Sequence, residues 1–360
     1  MPLAAPPADL DAAQAAYLLA GARRVHVIGV GGSGASGLAR VLRRRGYLVT
    51  GSDGRASATT AALAHEGIPV SIGHRAENVE EPSLVVASAA IPEDNAELAA
   101  ARARGIPVLK YATALAAAVL TRRVIAVAGC HGKTTTTALT AFLLRRSGVD
   151  CGFVVGGNVP QLGGNAGEGR AREFVVEACE YDRSFLRFQP AAAAITNVDA
   201  DHLDYYGSVE AVAQAFGEFA SRIAEDGLLV TTADVLAVIG DPRRTRRLRV
   251  QTVGRGGEAE VRWMELRDDR PAGLRDPDLH AMRLAIGRED LGAFATRLAG
   301  EHNLSNAAMA IVLALEAGAS LEKIRETLPE FRGVERRMEV RCTSPELTVV
   351  DDYGHHPTEL

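Results

Sequence analysis

The stretch RRVHVIGVGGSGASGLARVLRRRGYLVTGSD (residues 23–53) decides the fold class that we expect for this chain. The apolar residues 25–28 predict a buried strand, the glycines after them predict a tight turn, and residues 33–45 predict a helix. Residues 48–50 predict a second strand. A strand, a helix and a further strand in this order form a βαβ unit, so we expect a parallel sheet.

The same alternation of strands and helices continues along the chain, and it predicts an α/β protein. Further strands are predicted at residues 69–72, 83–88 and 107–110, and a second series begins near Arg122. That series consists of the strand RVIAVAG (123–129), the helix KTTTTALTAFLLRRSG (133–148) with Gly148 as its stop signal, and the strands EFVVEA (173–178) and AAAAITN (191–197).

Composition and charge exclude several classes of protein. The chain has 360 residues, 47% of them apolar, which is enough for two or three domains with cores of their own. A net charge of −5 gives no indication of a nucleic-acid partner or an anionic membrane surface. No secretory signal and no apolar run of about 20 residues is present, so we expect no membrane insertion.

The cysteines indicate the cellular compartment. Cys130, Cys151, Cys179 and Cys342 form no C-x-x-C pair, which argues against a zinc site. Four scattered thiols in a chain of this size are typical of reduced, cytoplasmic proteins. The sequence does not indicate an oligomeric state.

A glycine-rich turn in the first βαβ unit predicts a nucleotide site. Gly29, Gly31 and Gly34 follow a strand and open a helix, and Asp53 follows the next strand. The glycines would let the backbone approach a diphosphate at the helix N-terminus, and the carboxylate would bind a sugar or a base. The pattern does not choose between NAD and another nucleotide diphosphate, and a tight turn without a ligand is the alternative.

The segment AGCHGKTTTT (128–137) predicts a phosphate loop of unusual length. In the common G-x-x-x-x-G-K-[ST] pattern the first glycine would stand at Val127, whereas this chain has Gly129. The segment still joins a buried strand to a helix. Its backbone amides would face an anion, Lys133 would reach the terminal phosphates, and the Thr134 hydroxyl would bind Mg²⁺.

Polar residues follow the next two strands of this series. Because the carboxyl ends of parallel strands share one crevice, we expect these side chains to lie beside the phosphate loop, where carboxylates bind the Mg²⁺ of ATP. Helix capping or plain surface exposure is the alternative for each acid. The residues are Glu177, Glu180 and Asp182 after the first strand, and Asp199, Asp201, His202 and Asp204 after the second.

Three further groups are candidates for ligand contacts. Asn303 and Asn306 share one helix face and would recognise an adenine edge, with capping as the alternative. Arg336 and Arg337 would stabilise phosphate charge. Tyr353, His355 and His356 end a predicted strand and are pocket candidates. Two nucleotide sites in one chain suggest that ATP activates a carboxylate on a nucleotide-linked substrate.

Six segments, in their order and spacing, resemble those of the Mur ligases. They are HVIGVGGSGASGLARVL (26–42), AGCHGKTTTTAL (128–139), EACEYDRSFL (177–186), TNVDADHLDYYGS (196–208), GEHNLSNAAMA (300–310) and VDDYGHHPTE (350–359). The resemblance implies a Rossmann-like domain (1–120) that binds a UDP-linked substrate and a central ATP-binding domain (121–335) with a parallel sheet. It also implies a C-terminal α/β domain, of which 336–360 are only the truncated start.

The resemblance also implies a reaction and its residues. ATP and Mg²⁺ would drive the ligation of L-alanine to UDP-N-acetylmuramate through an acyl phosphate, in peptidoglycan precursor synthesis. The implied residues are Lys133, Glu177, His202, Arg337 and Asp352 for catalysis; Gly129, Cys130, His131, Gly132, Lys133, Thr134, Thr135, Asn303, Asn306 and Arg337 for ATP; Thr134, Glu177 and His202 for the metal; and Gly29, Gly31, Gly32, Ser33, Gly34, Asp53, Ser88, Tyr353 and His355 for the substrate.

Two departures from the family pattern lead to expectations. Cys130 stands where threonine is more usual, and its place at a helix N-terminus beside Lys133 predicts a lowered thiol pKa and sensitivity to oxidation. A small, tolerated side chain is the alternative. Because most of a third domain is missing from the sequence, we expect this chain to bind the UDP-sugar but to ligate poorly.

Three other functions fit parts of the sequence. A murein tripeptide recycling ligase would have the same loops. An NAD-binding oxidoreductase would need only Gly29–Gly34 and Asp53, and would leave the second site unexplained. A fragment that binds nucleotides without catalysis is the third.

Overall fold

The computed structural model describes residues 10–79, 81–266, 271, 274, 276, 278–344, 346–354 and 356. The contacts within the chain define two compact units. One comprises Met1–Arg122 and Ala166–Glu168, and the other comprises Arg123–Asn165 and Gly169–Leu360. The limits at residues 120 and 335 that the sequence suggested stay predictions.

The α/β architecture predicted from the sequence is confirmed. The strands are β1 (Arg24–Ile28), β2 (Leu48–Asp53), β3 (Val70–Ile72), β4 (Leu84–Ala87), β5 (Val108–Lys110), β6 (Arg123–Ala128), β7 (Gly152–Val154), β8 (Ala166–Gly167), β9 (Glu173–Glu177), β10 (Ala192–Ile195), β11 (Leu228–Thr231), β12 (Arg249–Gly254), β13 (Val261–Leu266), β14 (His280–Ile286), β15 (Glu289–Thr296), β16 (Glu339–Thr343) and β17 (Thr348–Asp351).

The α-helices alternate with these strands along most of the chain. They are α1 (Ala12–Gly21), α2 (Ser33–Arg44), α3 (Ala58–His65), α4 (Ala96–Ala103), α5 (Tyr111–Val119), α6 (Lys133–Arg146), α7 (Leu203–Tyr206), α8 (Val209–Ser221), α9 (Ala233–Ile239), α10 (Glu301–Glu316) and α11 (Leu321–Thr327). Short 3₁₀ turns include Ala76–Val79, Pro160–Leu162, Tyr181–Arg187, Pro242–Arg244 and Leu328–Glu330. None of the described helices is long and apolar enough to cross a membrane.

The first unit is built on a five-stranded parallel sheet in the order β3-β2-β1-β4-β5. Its centre, β1, is buried from Val25 to Ile28. The helix α2 buries Leu38, Val41 and Leu42, a spacing that puts them on one helical face. The βαβ unit predicted from the sequence is therefore present, and its glycine turn lies at the carboxyl end of β1.

The second unit contains a larger mixed sheet, in the order β15-β14-β13-β12-β11-β10-β6-β9-β7. In the order of the sheet, neighbouring strands pair parallel from β7 through β9, β6, β10, β11 and β12 to β13. The pairs β13–β14 and β14–β15 are antiparallel. The helices α6 and α10 pack against each other and bury the apolar side chains of this unit. Phe153 and Phe331 are among the largest fully buried ones, each contributing about 1.5–3 kcal/mol of burial free energy.

The threonine-rich start of α6 forms a helix despite the low helix propensity of threonine. The hydroxyl groups of Thr137 and Thr140 donate to the carbonyl oxygens of Lys133 and Thr136, both at 2.7 Å. These bonds satisfy the buried hydroxyls within the helix itself. Gly148 lies just after the helix with a φ of +87°, in agreement with the stop signal that the sequence predicted there.

Candidate active site

The site of the second unit lies where three neighbouring strands end. In the sheet, β6 stands between β10 and β9. The register pairs Ala128 with Ile195 and Val127 with Glu177, so the phosphate loop and both polar segments leave the sheet at one edge. The predicted shared crevice is a cavity of about 120 Å³. Its lining comprises Cys130, Gly132, Lys133, Thr134, Glu177, Glu180, Asp201, His202 and Arg337.

The phosphate loop is complete in its short form. Val127 belongs to β6, and Gly129 and Gly132 have φ of +133° and +78°. A Cβ on Gly129 would lie 2.0 Å from Thr196 Oγ1, and one on Gly132 would lie 2.7 Å from Asn306 Oδ1. Both positions therefore require glycine for conformation and for space.

The Lys133 ammonium is the main cation of the cavity. Its Nζ donates to the carbonyl oxygens of Gly129 (2.6 Å) and Cys130 (2.9 Å) and to Glu180 Oε1 (2.9 Å). The side chains of Lys133 and Glu180 are only 14% and 1% exposed. Burial by itself would lower the pKa of Lys133. The negative charge of Glu180 has the larger, opposite effect, so the pKa lies above its ordinary value. Lys133 is therefore charged at neutral pH.

Glu180 is the residue whose importance the sequence did not reveal. Its Oε1 accepts from Lys133 Nζ and also lies 3.6 Å from His202 Nε2. Its backbone oxygen accepts from the Tyr206 hydroxyl at 2.5 Å. Its other oxygen, Oε2, is buried with no hydrogen-bond partner among the described residues. The sequence placed Glu180 among the acids after β9, but it did not show that this acid is the buried one.

The residues predicted to bind a metal line the same cavity in two groups. The Thr134 hydroxyl donates to Glu177 Oε1 at 2.9 Å, and the amide of Gly156 donates to Glu177 Oε2 at 2.7 Å. His202 belongs with Glu180 and Asp201, whose ligand atoms lie within 4.8 Å of one another. These oxygen-rich groups, with the unpartnered Glu180 Oε2, fit a hard cation such as Mg²⁺. The metal role of Thr134, Glu177 and His202 stays a prediction.

The expectation of a reactive Cys130 was wrong. The side chain is only 6% exposed, and burial, together with the charge of Glu180, raises the thiol pKa to about 12. Its Sγ accepts from the amide of Asp199 at 3.2 Å and donates to the carbonyl oxygen of Asp199 at 3.5 Å. The helix terminus and Lys133 do not overcome desolvation, so Cys130 is a packing residue that joins the loop to the segment after β10.

The two asparagines form hydrogen bonds at the start of α10, and one of them lies beside the phosphate loop. Asn303 Nδ2 donates to the carbonyl oxygen of Ala299 at 2.7 Å, and Asn306 Nδ2 donates to Asn303 Oδ1 at 3.2 Å. The N-cap of α10 is Gly300, so the capping alternative was wrong. The side chain of Asn306 lies beside Gly132. Recognition of adenine by these side chains stays a prediction.

Among the described residues after α11, Arg337 lines the cavity. Its guanidinium lies 5.4 Å from the ring centre of Tyr353, which is half exposed. Asp352 does not line the cavity; its carboxylate accepts from the amides of Met338 (2.7 Å) and Gly354 (2.5 Å) and so fixes the loop. His355 lies outside the described residues. Among the other predicted ATP contacts, Thr135 is half-buried in the first turn of α6.

The glycine turn of the first unit is held by internal hydrogen bonds. The amides of Gly29 and Val30 donate to the Ser52 carbonyl at 2.8 and 3.0 Å, and that of Gly32 donates to the Gly29 carbonyl at 3.2 Å. The amide of Gly31 donates to Asp53 Oδ2 at 2.9 Å. The carboxylate of Asp53 thus holds the turn itself, and a contact between Asp53 and a sugar or base stays a prediction.

The remaining predicted residues of this turn lie around the start of α2. Ser33 is the first residue of that helix, and Gly34 packs so closely that a Cβ would lie 2.7 Å from the ring of Tyr111. Ser88 lies beside Gly29 and donates its amide to the carbonyl of Ile28 at 3.1 Å. Because the amides of Gly29, Gly31 and Gly32 donate within the chain, binding of a diphosphate by this turn stays a prediction.

A buried acid behind this turn was not predicted from the sequence. Glu97 is fully buried, with its carboxylate 2.6 Å from Ser52 Oγ, 3.0 Å from His74 Nδ1 and bonded to Asn78 Nδ2. Burial raises its pKa, but the nearby His26 ring, whose Nε2 lies 3.8 Å from the carboxylate, and hydrogen bonds from Ser52, Asn78 and His74 outweigh burial and lower the pKa to about 2. Glu97 therefore stays ionised and braces the end of β2.

Known proteins resemble this chain over nearly its whole length. Residues 24–123 match the Mur ligase family, catalytic domain, and residues 127–314 match the Mur ligase middle domain. A relative from Saccharopolyspora erythraea, named UDP-N-acetylmuramate--L-alanine ligase, is 41% identical over 98% of this chain and 71% of its own length. One of the same name from Renibacterium salmoninarum is 44% identical over 94% of this chain and 71% of its own length.

Two solved structures support the same grouping. A UDP-N-acetylmuramate-alanine ligase from Thermotoga maritima has a TM-score of 0.81 at 29% identity, covering 93% of this chain and 75% of that one. A murein peptide ligase from Psychrobacter arcticus has a TM-score of 0.75 at 25% identity, covering 94% of this chain and 74% of that one.

Proposed function

The chain belongs to the Mur ligase family, and from this membership we propose that it is an ATP-dependent ligase that joins L-alanine to the lactyl carboxylate of UDP-N-acetylmuramate. This reaction is a step in the synthesis of peptidoglycan precursors. The relatives from Saccharopolyspora erythraea and Renibacterium salmoninarum both carry the name of this activity.

The observation that carries the proposal is the position of the Lys133 ammonium. It lies in a phosphate loop at the carboxyl end of a parallel sheet, held by the buried Glu180 and surrounded by further acids. A fixed cation next to a carboxylate cluster is the arrangement that phosphoryl transfer from ATP requires, because negative charge must be bound and neutralised there.

The proposed reaction has two steps. The lactyl carboxylate attacks the terminal phosphorus of ATP, which gives an acyl phosphate and ADP. The amine of L-alanine then attacks the acyl carbon, and phosphate leaves with the bonding electrons. Lys133 would stabilise the charge on the transferred phosphoryl group, and Arg337, which lines the same cavity, would add a second positive charge.

Mg²⁺ is the cation that fits the oxygen donors of this cavity. Thr134, Glu177 and His202 would hold it, and Glu180 Oε2 supplies a further buried acceptor. When bound, the ion neutralises phosphate charge and orients the terminal phosphate. The first unit would bind the UDP part of the substrate at the first turn of α2.

A murein tripeptide ligase is the alternative within the family. The murein peptide ligase from Psychrobacter arcticus is 25% identical to this chain, whereas the relatives named for alanine addition are 41–44% identical. This difference favours alanine as the acceptor. Family membership leaves the alternative of an NAD-binding oxidoreductase without support.

The test is a product assay with an isotope label. UDP-N-acetylmuramate labelled with ¹⁸O in its carboxylate is incubated with ATP, Mg²⁺ and L-alanine, and product and phosphate are analysed by mass spectrometry. We expect the UDP-linked alanyl product and transfer of one ¹⁸O into phosphate, because the phosphate that leaves the acyl phosphate keeps the bridging carboxylate oxygen. A faster reaction with the tripeptide, or product without label transfer, would contradict the proposal.

A matched pair of variants connects the activity to the site. Lys133→Met should lower the rate by at least about 100-fold, as removal of one transition-state donor does elsewhere. Lys323→Met removes an exposed lysine that pairs with Glu326, and it should leave the rate unchanged. Equal rates for the two variants would remove Lys133 from the mechanism.

A further inference from the structure

Three side chains form a second cluster of possible metal ligands, apart from the acids around Lys133. His131, Asp199 and His356 each place one ligand atom within 4.8 Å of the others. The proposed ligation assigns no catalytic step to these three side chains, although His131 is also among the predicted ATP contacts.

The backbone that carries two of the three donors is held by hydrogen bonds. The amide of His131 donates to Asn197 Oδ1 at 2.8 Å, and its carbonyl accepts from Asn197 Nδ2 at 3.0 Å and from Thr196 Oγ1 at 2.5 Å. The amide of Asp199 donates to Cys130 Sγ, and its Oδ1 accepts from the amide of Ala200 at 2.7 Å. The backbones that carry both side chains are therefore fixed.

The spacing of these two donors suits a shared ion. His131 Nε2 and Asp199 Oδ2 are hydrogen-bonded at 3.2 Å, a contact that a bound ion would replace. Two ligands with bonds of about 2.0–2.1 Å to one tetrahedral ion are about 3.3 Å apart, so this pair needs almost no movement. Because rigid donors lose little entropy on binding, such a pair favours a bound ion.

The third donor comes from the C-terminal loop. The ring of His356 lies 5.0 Å from the ring of His131, centre to centre. The loop that carries it is held by a hydrogen bond of 2.8 Å from the amide of Tyr353 to the carbonyl of Arg336. Its ligand nitrogen lies within 4.8 Å of those of His131 and Asp199, so a movement of the His356 side chain towards them would let all three share one ion.

The donor chemistry distinguishes this cluster from the cavity around Lys133. Two imidazoles and one carboxylate are the ligand set that Zn²⁺ and neighbouring transition metals prefer, whereas Mg²⁺ prefers oxygen. Glu180, Asp201 and His202 offer two carboxylates and one imidazole. The two clusters therefore differ in the hardness of their donors.

We propose that His131, Asp199 and His356 bind a transition-metal dication of the Zn²⁺ class, which connects the C-terminal loop to the phosphate loop. Three protein ligands leave a fourth position for water or an anion. Since His131 stands between Gly129 and Gly132, the ion stiffens the loop in its present conformation. The site uses histidines, so it is compatible with the absence of a C-x-x-C pair. The proposal does not depend on the proposed ligase activity.

The experiment measures Zn²⁺ binding to the full chain by equilibrium dialysis, in the presence of excess Mg²⁺ to saturate oxygen-rich sites. We expect His356→Ala and Asp199→Asn each to weaken one Zn²⁺ site by at least about 10- to 100-fold, the range known for outer-shell changes alone. His302→Ala, which removes an exposed histidine of α10, is the matched control and should bind as the wild type does.

Co²⁺ substitution identifies the ligands independently. We expect visible absorption bands of a nitrogen- and oxygen-ligated ion, lost in His356→Ala, and no intense thiolate band in the near ultraviolet. Unchanged Zn²⁺ affinity in both ligand variants, or a thiolate band that persists in them, would overturn the proposal. Thermal unfolding without zinc shows whether each variant folds; if His356→Ala does not, Asp199→Asn, which keeps the shape of its side chain, decides.

Discussion

The buried ion pair between Lys133 and Glu180 gives the sharpest prediction about this chain. In Glu180→Gln the side chain keeps its shape but loses its charge, so the buried Lys133 ammonium keeps only neutral acceptors. Removing one partner of a buried ion pair costs about 3–5 kcal/mol. Because glutamine keeps one oxygen that can accept from Nζ, we expect the lower end, about 3 kcal/mol.

The assay is thermal unfolding followed by circular dichroism. For a unit of this size, 1 kcal/mol shifts the melting temperature by about 2–4 °C, so the variant should melt about 6–12 °C below the wild type. The matched control is Glu218→Gln, which removes the partner of Arg183 from an exposed ion pair. That change should cost less than about 1 kcal/mol.

The pH dependence provides a second check on the same variant. In the wild type the pKa of Lys133 lies above its ordinary 10.5, so its stabilising effect is complete below pH 10.5 and is lost as pH rises further. In Glu180→Gln, burial still lowers the pKa of Lys133, and the negative charge of Glu180 that raised this pKa is absent. The difference in unfolding free energy between wild type and variant should therefore narrow as pH rises towards 10.5. A variant that melts with the wild type, or a gap that is constant with pH, would refute the reasoning.

Three more predictions follow from the structure. The lowering of the Glu97 pKa from 4.5 to about 2 corresponds to roughly 3 kcal/mol of stability, which is present above pH 4.5 and is lost as pH falls towards 2. When the unfolding free energy is measured as a function of pH, Glu97→Gln should lack this loss at acid pH. Gly129→Ala should abolish ATP binding in calorimetry, whereas Gly148→Ala, with positive φ but open space, should cost only about 1 kcal/mol of stability. In the native protein iodoacetamide should label the exposed Cys342 and spare Cys130, with mass spectrometry as the readout.

Much of the fold could be predicted because it depends on local patterns. The apolar run of β1, the glycine turn and the helix after it are contiguous, and parallel pairing follows from their order. The meeting of Lys133, Glu177 and His202 in one cavity could also be predicted, because parallel strands end at one edge of a sheet. Neither inference needs knowledge of distant side chains.

The remaining features depend on contacts between residues far apart in the chain. Glu97 is bound by side chains from β1, β2 and the segment after β3, and no local pattern indicates that they converge. The pKa of Cys130 depends on burial and on Glu180, whereas the sequence shows only its neighbours in the loop. Glu180 and Glu177 are alike in sequence, and only packing shows which one is buried.

The contacts of Lys133 have a consequence for how tightly a nucleotide can bind. Its ammonium already has three oxygen partners, and the Thr134 hydroxyl already donates to Glu177. A phosphate that binds here must exchange with these partners, so each new hydrogen bond replaces an old one and the enthalpy gained is small. Binding of ATP should then depend mainly on charge balance, which would make its affinity respond more to salt than to temperature.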